Sequence, residues 1–305
     1  MSMDMERATR ALMHGNSASA IDALCQELAN DPNDSLAHAM LSQCLLMEAR
    51  TEAAMHEAQL ALQLEPNSAY SHYAMARCYL FKSKPDKALI AAQEATQLEP
   101  NNSDFHLLCA ECHNSLRNTE DAFSSLRKAL ELDPTSVDAL VAMGEHHYET
   151  DQLTEARSLA HDALAENAGN ANAHILLGKI KLQDGDEQRA REHAAFAIQQ
   201  SPDSSGALVL FAEIKASSNP IIGLWYKANS KLSRLSDTKM IAWVIGGYVA
   251  FNIASQILRD LGLTNVGTLV SFLWIGIVVY SWVAVPIFNR MLKNEVSKVK
   301  FSPDF

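Results

Sequence analysis

The chain has 305 residues, with 36 acidic against 25 basic side chains and a formal net charge of −11. That balance excludes nucleic-acid binding, which needs a basic surface to neutralise phosphates. No Gly-rich phosphate loop, nucleophile elbow or HExxH motif occurs, so no catalytic residue, cofactor or small-molecule substrate is expected.

From the N-terminus the dominant signal is a period. Pro32, Pro66, Pro100 and Pro134 stand 34 residues apart; the next step falls on Ala168 and the one after on Pro202. Ala20, Ala54, Ala88, Ala122, Ala156 and Ala190 keep the same beat without a gap. A fixed period of this length means stacked units, each too small to bury its own apolar face. It fits a pair of antiparallel helices. With repeats starting at Ser35, Ala69, Ser103, Val137 and Ala171, Tyr73, Ala76 and Leu80 lie near one face of a first helix. Ala88, Ala91, Ala92 and Ala95 form the buried stripe of a second. Phrases such as Leu64-Glu65-Pro66-Asn67 end one helix and start the next, with the Asn, Ser or Thr after the proline as the expected cap.

This pattern resembles the tetratricopeptide repeat family. The small eighth position reads Ser42, Ala76, Ala110, Gly144 and Gly178, and the twenty-seventh reads Ala61, Ala95, Ala129, Ala163 and Ala197. The family's Trp at position four is replaced by His38, His72, His106, Leu140 and His174, a column expected to pack inward. The resemblance covers residues 1–217 and implies an all-α fold, a right-handed solenoid of helix-turn-helix repeats. It comprises about six repeats and a partial seventh helix over 205–217.

Residues 218–239 are expected to form an amphipathic helix. It carries an apolar stripe through Ile221, Leu224, Trp225, Ala228, Leu232 and Leu235, and lies on the membrane surface or caps the solenoid. Residues 240–258 and 266–288 carry no charge and are each long enough to cross a bilayer. They predict a two-helix transmembrane hairpin over 240–288, followed by a basic tail, 289–305. Gly246, Ala250 and Ala254 make a small-residue ridge in the first span. Asn252 and Gln256 are expected to hydrogen-bond to the second span in preference to a partner protein. Trp225, Trp274 and Trp282 are further candidates for the membrane region. Residues 1–219 carry a net −16 and residues 220–305 a net +5. The basic end suits an anionic inner leaflet, and the positive-inside rule places both termini in the cytoplasm. Residues 1–30 hold no apolar core behind a basic start, so the repeats are expected to stay there too. The layout, with Trp282-Val283-Ala284-Val285-Pro286, resembles bacterial membrane-anchored repeat proteins and implies an inner-membrane location.

Cys44, Cys78 and Cys112 share one repeat column and are expected to be small packing residues, and disulfides are not expected in a cytoplasmic chain. His106, Cys109, Cys112 and His113 mimic a zinc set, but inward packing accounts for them and no metal is expected.

The resemblance also implies a concave groove lined by first-helix positions two, five, nine, twelve and thirteen. Carried over, these give Leu36, Gln43 and Met47 with Ala39 and Leu46; Tyr70, Tyr73, Arg77 and Phe81 with Leu80; Asp104 and Glu111 with Leu107, Asn114 and Ser115; and Asp138, Glu145 and Glu149 with Val141 and Tyr148. The sixth repeat adds Asn172, Ile175, Lys179, Leu182 and Gln183. The first part is apolar and aromatic, the middle acidic. Chaperone-receptor members of the family hold acidic peptide tails with a Lys, Arg and Asn clamp, which is missing here. The implied function is a non-enzymatic, membrane-anchored adaptor. Its partner would be a protein segment with an apolar anchor and basic residues, or a subunit of a membrane complex. The alternatives are an assembly factor or chaperone for a membrane machine, and a small-molecule or metal-binding sensor.

Overall fold

In the computed structural model the described residues are 2–201, 204–218 and 237–263, with 265–266, 268–270 and 272–273 beyond them. Of 216, 218 and 237–245 the backbone alone is described. The described residues hold fourteen helices and no strand: α1 (Met3–Met13), α2 (Ser17–Asn30), α3 (Ser35–Met47), α4 (Thr51–Leu64), α5 (Ala69–Phe81), α6 (Pro85–Leu98), α7 (Ser103–Ser115), α8 (Thr119–Leu132), α9 (Val137–Glu149), α10 (Leu153–Glu166), α11 (Ala171–Gln183), α12 (Glu187–Gln200), α13 (Ser205–Ser218) and α14 (Asp237–Asp260). The chain divides into two compact units, Met1–Ala168 and Gly169–Phe305.

In the first unit the 34-residue beat becomes a repeated set of hydrogen bonds. Helices α2, α4, α6 and α8 each end at an acidic residue whose carbonyl accepts from the residue three further on: Asp34 to Asp31, Ser68 to Glu65, Asn102 to Glu99 and Ser136 to Asp133. Proline occupies the second place of each turn, where its fixed φ suits the bend. The cap is then the second residue after proline, not the first. The side chains of Asp34, Ser68 and Asn102 accept from Ala37, Ser71 and Asp104 N–H at 3.0, 3.3 and 3.1 Å. The histidine column closes the same corner. His38, His72 and His106 reach back with Nε2 to the carbonyls of Pro32, Pro66 and Pro100, at 3.1, 2.9 and 2.9 Å. The expected inward packing of this column holds for His38, Leu140 and His174, which are buried, and is corrected for His72 and His106, which are half-exposed and serve as hydrogen-bonding braces.

The turn inside each helix pair uses different chemistry. Ala49, Ser83, Arg117 and Asp151 have φ of 56, 53, 63 and 62°, and Gly15 holds the same place at 68°. The residue after each returns a bond to the helix it leaves, as from Arg50 to Leu45 and Lys84 to Tyr79 at 2.8 and 2.9 Å. This left-handed turn satisfies orphan carbonyls and reverses the chain within a few residues. Ala54, Ala88, Ala122 and Ala156, with Ala61, Ala95, Ala129 and Ala163, are all 0% exposed. Side chains this small let helix backbones approach closely.

In the second unit α11 and α12 pair in the same way, and α13 packs on both. A Cβ on Gly178 would meet Leu210 Cδ2 of α13 at 2.5 Å, so a larger residue there requires the Leu210 side chain to shift. His174 lies 4.2 Å, centroid to centroid, from Phe196. Among the described residues no helix is long and apolar enough to cross a membrane, and the expected transmembrane hairpin is not found there. The second span lies outside the described residues except for 266, 268–270 and 272–273, and the 218–239 element is outside them between 219 and 236. Within α14, Asn252 Nδ2 donates to the Tyr248 carbonyl of its own helix at 3.1 Å; the expected bond to a second span falls on residues mostly outside the described ones. Gln256, Ala250 and Ala254 are exposed, and a Cβ on Gly246 would meet nothing within 4 Å. Most of the described large apolar side chains from Tyr248 to Leu273 are also exposed, Leu261 by 70% and Leu269 by 69%, while Phe251, Leu258 and Val270 are half-buried.

Candidate functional site

In the first unit the odd helices α3, α5 and α7 pack side by side as well as against their even partners. They line the face that carries the positions singled out by repeat number. Ala39, Leu46, Leu107 and Val141 are buried in contacts between helices. Leu36, Met47, Tyr70 and Phe81 remain exposed, by 38, 57, 40 and 51%. Gln43, Tyr73, Arg77, Leu80, Glu111, Glu145 and Tyr148 are half-buried, while Asp104, Asn114, Ser115, Asp138 and Glu149 are exposed. The sixth repeat's Ile175 is buried, with Lys179 and Leu182 half-buried and Asn172 and Gln183 exposed; these belong to the second unit.

The centre of the first unit's face is an aromatic group joining two repeats. Phe105 is 1% exposed, with Tyr70 edge-on at 5.5 Å between ring centroids and Tyr73 tilted at 5.3 Å. Such edge and tilted contacts add about 0.5–1.5 kcal/mol beyond area burial. Phe105 is absent from the positions carried over from the family. The signal for it was a break in a column, because the third repeat position is Ala37, Ser71, Ala139 and Ala173 elsewhere. One large ring fills a place built for small residues and holds up the two tyrosines.

Beside the rings lies a charge cluster. Arg77 Nη1 stands 3.4 Å from Glu111 Oε2. Burial raises the Tyr73 hydroxyl to about 12; Asp104, Glu111 and Asp138 add to the rise and Arg77 opposes it. The Asp104 carboxyl is raised first by burial, then by Asp138 and Asp133. The Glu111 carboxyl is raised by burial, more than Arg77 lowers it, with Asp138 adding. Glu111 nevertheless keeps 41% of its side-chain exposure. The two facts agree for a carboxylate on the floor of a surface that is open in one direction and walled by protein in the others. Glu111 and Glu145 are both half-buried, and Glu111 is ion-paired. Three carboxylates against one guanidinium leave this part of the face negative, so it favours cations.

The zinc-like set has other occupations. His106 is held by Pro100, Cys109 Sγ is 3.4 Å from Thr96 Oγ1, and Cys112 is fully buried; His113 Nδ1 is buried 3.9 Å from Asp121, beyond hydrogen-bond distance. Burial pushes the Cys112 thiol up to about 12, so it is not poised as a thiolate ligand. Of the membrane candidates, Trp225, Trp274 and Trp282 lie outside the described residues.

The tetratricopeptide repeat pattern matches residues 5–70, 73–137 and 115–180. Among solved structures the chain is similar to TTC0263, a thermophilic TPR protein of Thermus thermophilus, with TM-score 0.54 and 20% identity over 59% of this chain and 98% of that one. It is similar to PilW, a type IV pilus biogenesis factor, with TM-score 0.53 and 17% identity over 68% and 96%. It is also similar to PilF of Pseudomonas aeruginosa, with TM-score 0.52 and 20% identity over 69% and 96%. At these identities the likeness shows the fold alone. No curated protein matches the chain.

Proposed function

Because the chain belongs to the tetratricopeptide repeat family, whose solenoids bind other proteins, we propose that it is a membrane-anchored adaptor rather than an enzyme. Its odd-helix face takes a protein segment with an apolar anchor and basic residues, and its C-terminal apolar part holds it at the cytoplasmic side of a membrane. The observation that carries the binding role is the exposed row of Leu36, Met47, Tyr70 and Phe81 beside the carboxylates of Asp104, Glu111 and Asp138. Apolar and aromatic residues supply most interface energy, and a negative strip speeds encounter with a basic partner. The anchoring role is supported by the run of exposed large side chains from Tyr248 to Leu273, since water-soluble surfaces rarely leave so many together.

The test is extraction of the full chain in non-ionic detergent and recovery of bound proteins at low and high salt. Tyr73→Ala should weaken recovery by about 2 kcal/mol, or roughly thirty-fold, if Tyr73 is a central anchor. Because Glu111 is paired with Arg77, Asp104→Asn with Asp138→Asn is the cleaner charge variant, and it should flatten the salt dependence. Unchanged recovery in both variants, with circular dichroism unchanged, would place the partner elsewhere on the molecule. Transient capture of unfolded chains in place of a stable partner would mark an assembly factor instead. Reporter fusions at Met1 and Phe305 should both read cytoplasmic, and an external Phe305 would defeat the anchored topology.

A further inference from the structure

Two parts of the odd-helix face adjoin across one helix junction. Helix α3 packs against α5, and α5 packs against α7. On α3 and α5 the exposed large side chains are apolar or aromatic: Leu36, Met47, Tyr70 and Phe81. On α7 the exposed Asp104 and the half-buried Glu111 are carboxylates. The Tyr70–Phe105 ring contact at 5.5 Å and the Arg77–Glu111 pair at 3.4 Å join the two parts. That pair already engages Arg77, the one guanidinium beside the rings. The first unit, Met1–Ala168, carries 26 acidic against 11 basic side chains. Its field therefore draws in a basic segment before contact is made.

The chain contains a segment of matching chemistry. Residues 289–305, NRMLKNEVSKVKFSPDF, hold Arg290, Lys293, Lys298 and Lys300 against Glu295 and Asp304. Met291, Leu292, Val296, Val299 and Phe301 stand among those bases. The segment lies outside the described residues, and its chemistry is read from the sequence. A second basic stretch, Lys227 to Lys239, accompanies an apolar stripe expected to meet the membrane surface or the solenoid end. No such role takes up the apolar residues of 289–305.

We infer that the odd-helix face is the docking site of the chain's own basic tail, residues 289–305, with the tail's apolar side chains against the α3–α5 part and its bases against the α7 carboxylates. This rests on the reading of that face as a peptide site and names an occupant for it. A face that holds the tail is closed to other proteins, so a partner binds by displacing it.

The experiment uses the chain in non-ionic detergent, both whole and ended at Phe288, and a fluorescently labelled peptide of residues 289–305 read by anisotropy. Circular dichroism confirms that each variant is folded. The peptide should bind the shortened chain about tenfold or more tighter than the whole chain, in which a tethered tail competes at high effective concentration. In the shortened chain Phe81→Ala and Asp104→Asn, both at exposed positions, should each weaken binding about fivefold or more. A scrambled peptide of the same composition, and a peptide of residues 225–239, should each bind about tenfold more weakly. Equal binding to the whole and shortened chains overturns the proposal, and so does a scrambled peptide that binds as well. A peptide that goes to vesicles of phosphatidylcholine and phosphatidylserine and not to the chain assigns the tail to the membrane and overturns it too. If the peptide fails to bind while recovery of other proteins still depends on Tyr73, the tail is overturned as occupant and the adaptor reading stands. Peptide binding that ignores both Phe81 and Asp104 places the tail off this face and overturns the proposal alone.

Discussion

The repeats of the first unit and the segment from α14 to Leu273 are both rich in apolar residues, and they use them in opposite ways. In the repeats, alanine columns are fully buried between helices, and few large side chains reach the surface. In α14 and beyond, most of the described large side chains stand exposed, with Phe251 and Leu258 half-buried. The same apolar content thus yields a close-packed interior in one region and a largely exposed surface in the other. What separates them is spacing. A column recurring every 34 residues finds its own copy in the next repeat, whereas the C-terminal residues do not follow that period. A run of exposed apolar side chains of this size marks an interaction surface.

Phe105 puts that contrast to its most severe test. Phe105→Ala should lower unfolding stability by about 3–5 kcal/mol, because it removes a fully buried ring and leaves a cavity under Tyr70 and Tyr73. Leu269→Ala, at an exposed position, should change stability by less than about 0.5 kcal/mol, while lowering partition into lipid vesicles. Denaturant titration and vesicle flotation read the two effects. Equal stability losses would erase the distinction between the regions.

A smaller effect tests whether the helical-pair turns are strained. Arg117 sits at φ 63°, where a side chain costs about 1–2 kcal/mol relative to glycine. Arg117→Gly should raise stability by about 1 kcal/mol after the greater freedom glycine gives the unfolded chain. Gly15→Ala should lower it by a similar amount. Thermal melts decide, and a loss in Arg117→Gly would mean the side chain contributes more than the strain removes.

The histidine brace is of comparable size. His72→Ala and His106→Ala each remove one hydrogen bond to a proline carbonyl at 2.9 Å and should cost about 1 kcal/mol. The losses should add, since the two sites lie one repeat apart. His→Asn variants that recover part of each loss would assign it to the bond and not to ring packing.

The smallest effect is a pH dependence. Burial raises the Glu111 carboxyl above its ordinary 4.5. Between that value and the raised one, the folded chain holds a proton that the unfolded chain has released. This group's contribution to stability therefore falls as pH climbs through that window, then stays level. Glu111→Gln does not titrate, so its melting temperature relative to the native chain should rise from about pH 4 to pH 7. A difference constant with pH would show the carboxyl at its ordinary value. Above the window, where Glu111 and Asp104 are ionised, a basic peptide should bind best, and affinity should weaken as pH falls through it.

The period, the helix pairs and the alanine columns were legible in the sequence because each repeat contacts chiefly its neighbours, so a local spacing is already a statement about packing. The cap register was misjudged by one residue. Asn67, Asn101 and Thr135 all have the right chemistry, and only the turn geometry decides that Ser68, Asn102 and Ser136 accept the bonds. The left-handed column was invisible because Ala49, Ser83, Arg117 and Asp151 share a backbone angle and no side-chain feature.

Residue order alone was enough for the family fold and for the change from apolar to acidic along one set of helix positions, since both are properties of spacing and residue type. It took the packed helices to show that Phe105 lies beneath Tyr70 and Tyr73, that Arg77 pairs with Glu111, and that Asp138 bears on Asp104. Each of these joins side chains about one repeat apart, across a helix junction. Whether they meet depends on how closely two helices pack and which rotamers the neighbours leave open, and no single repeat encodes that.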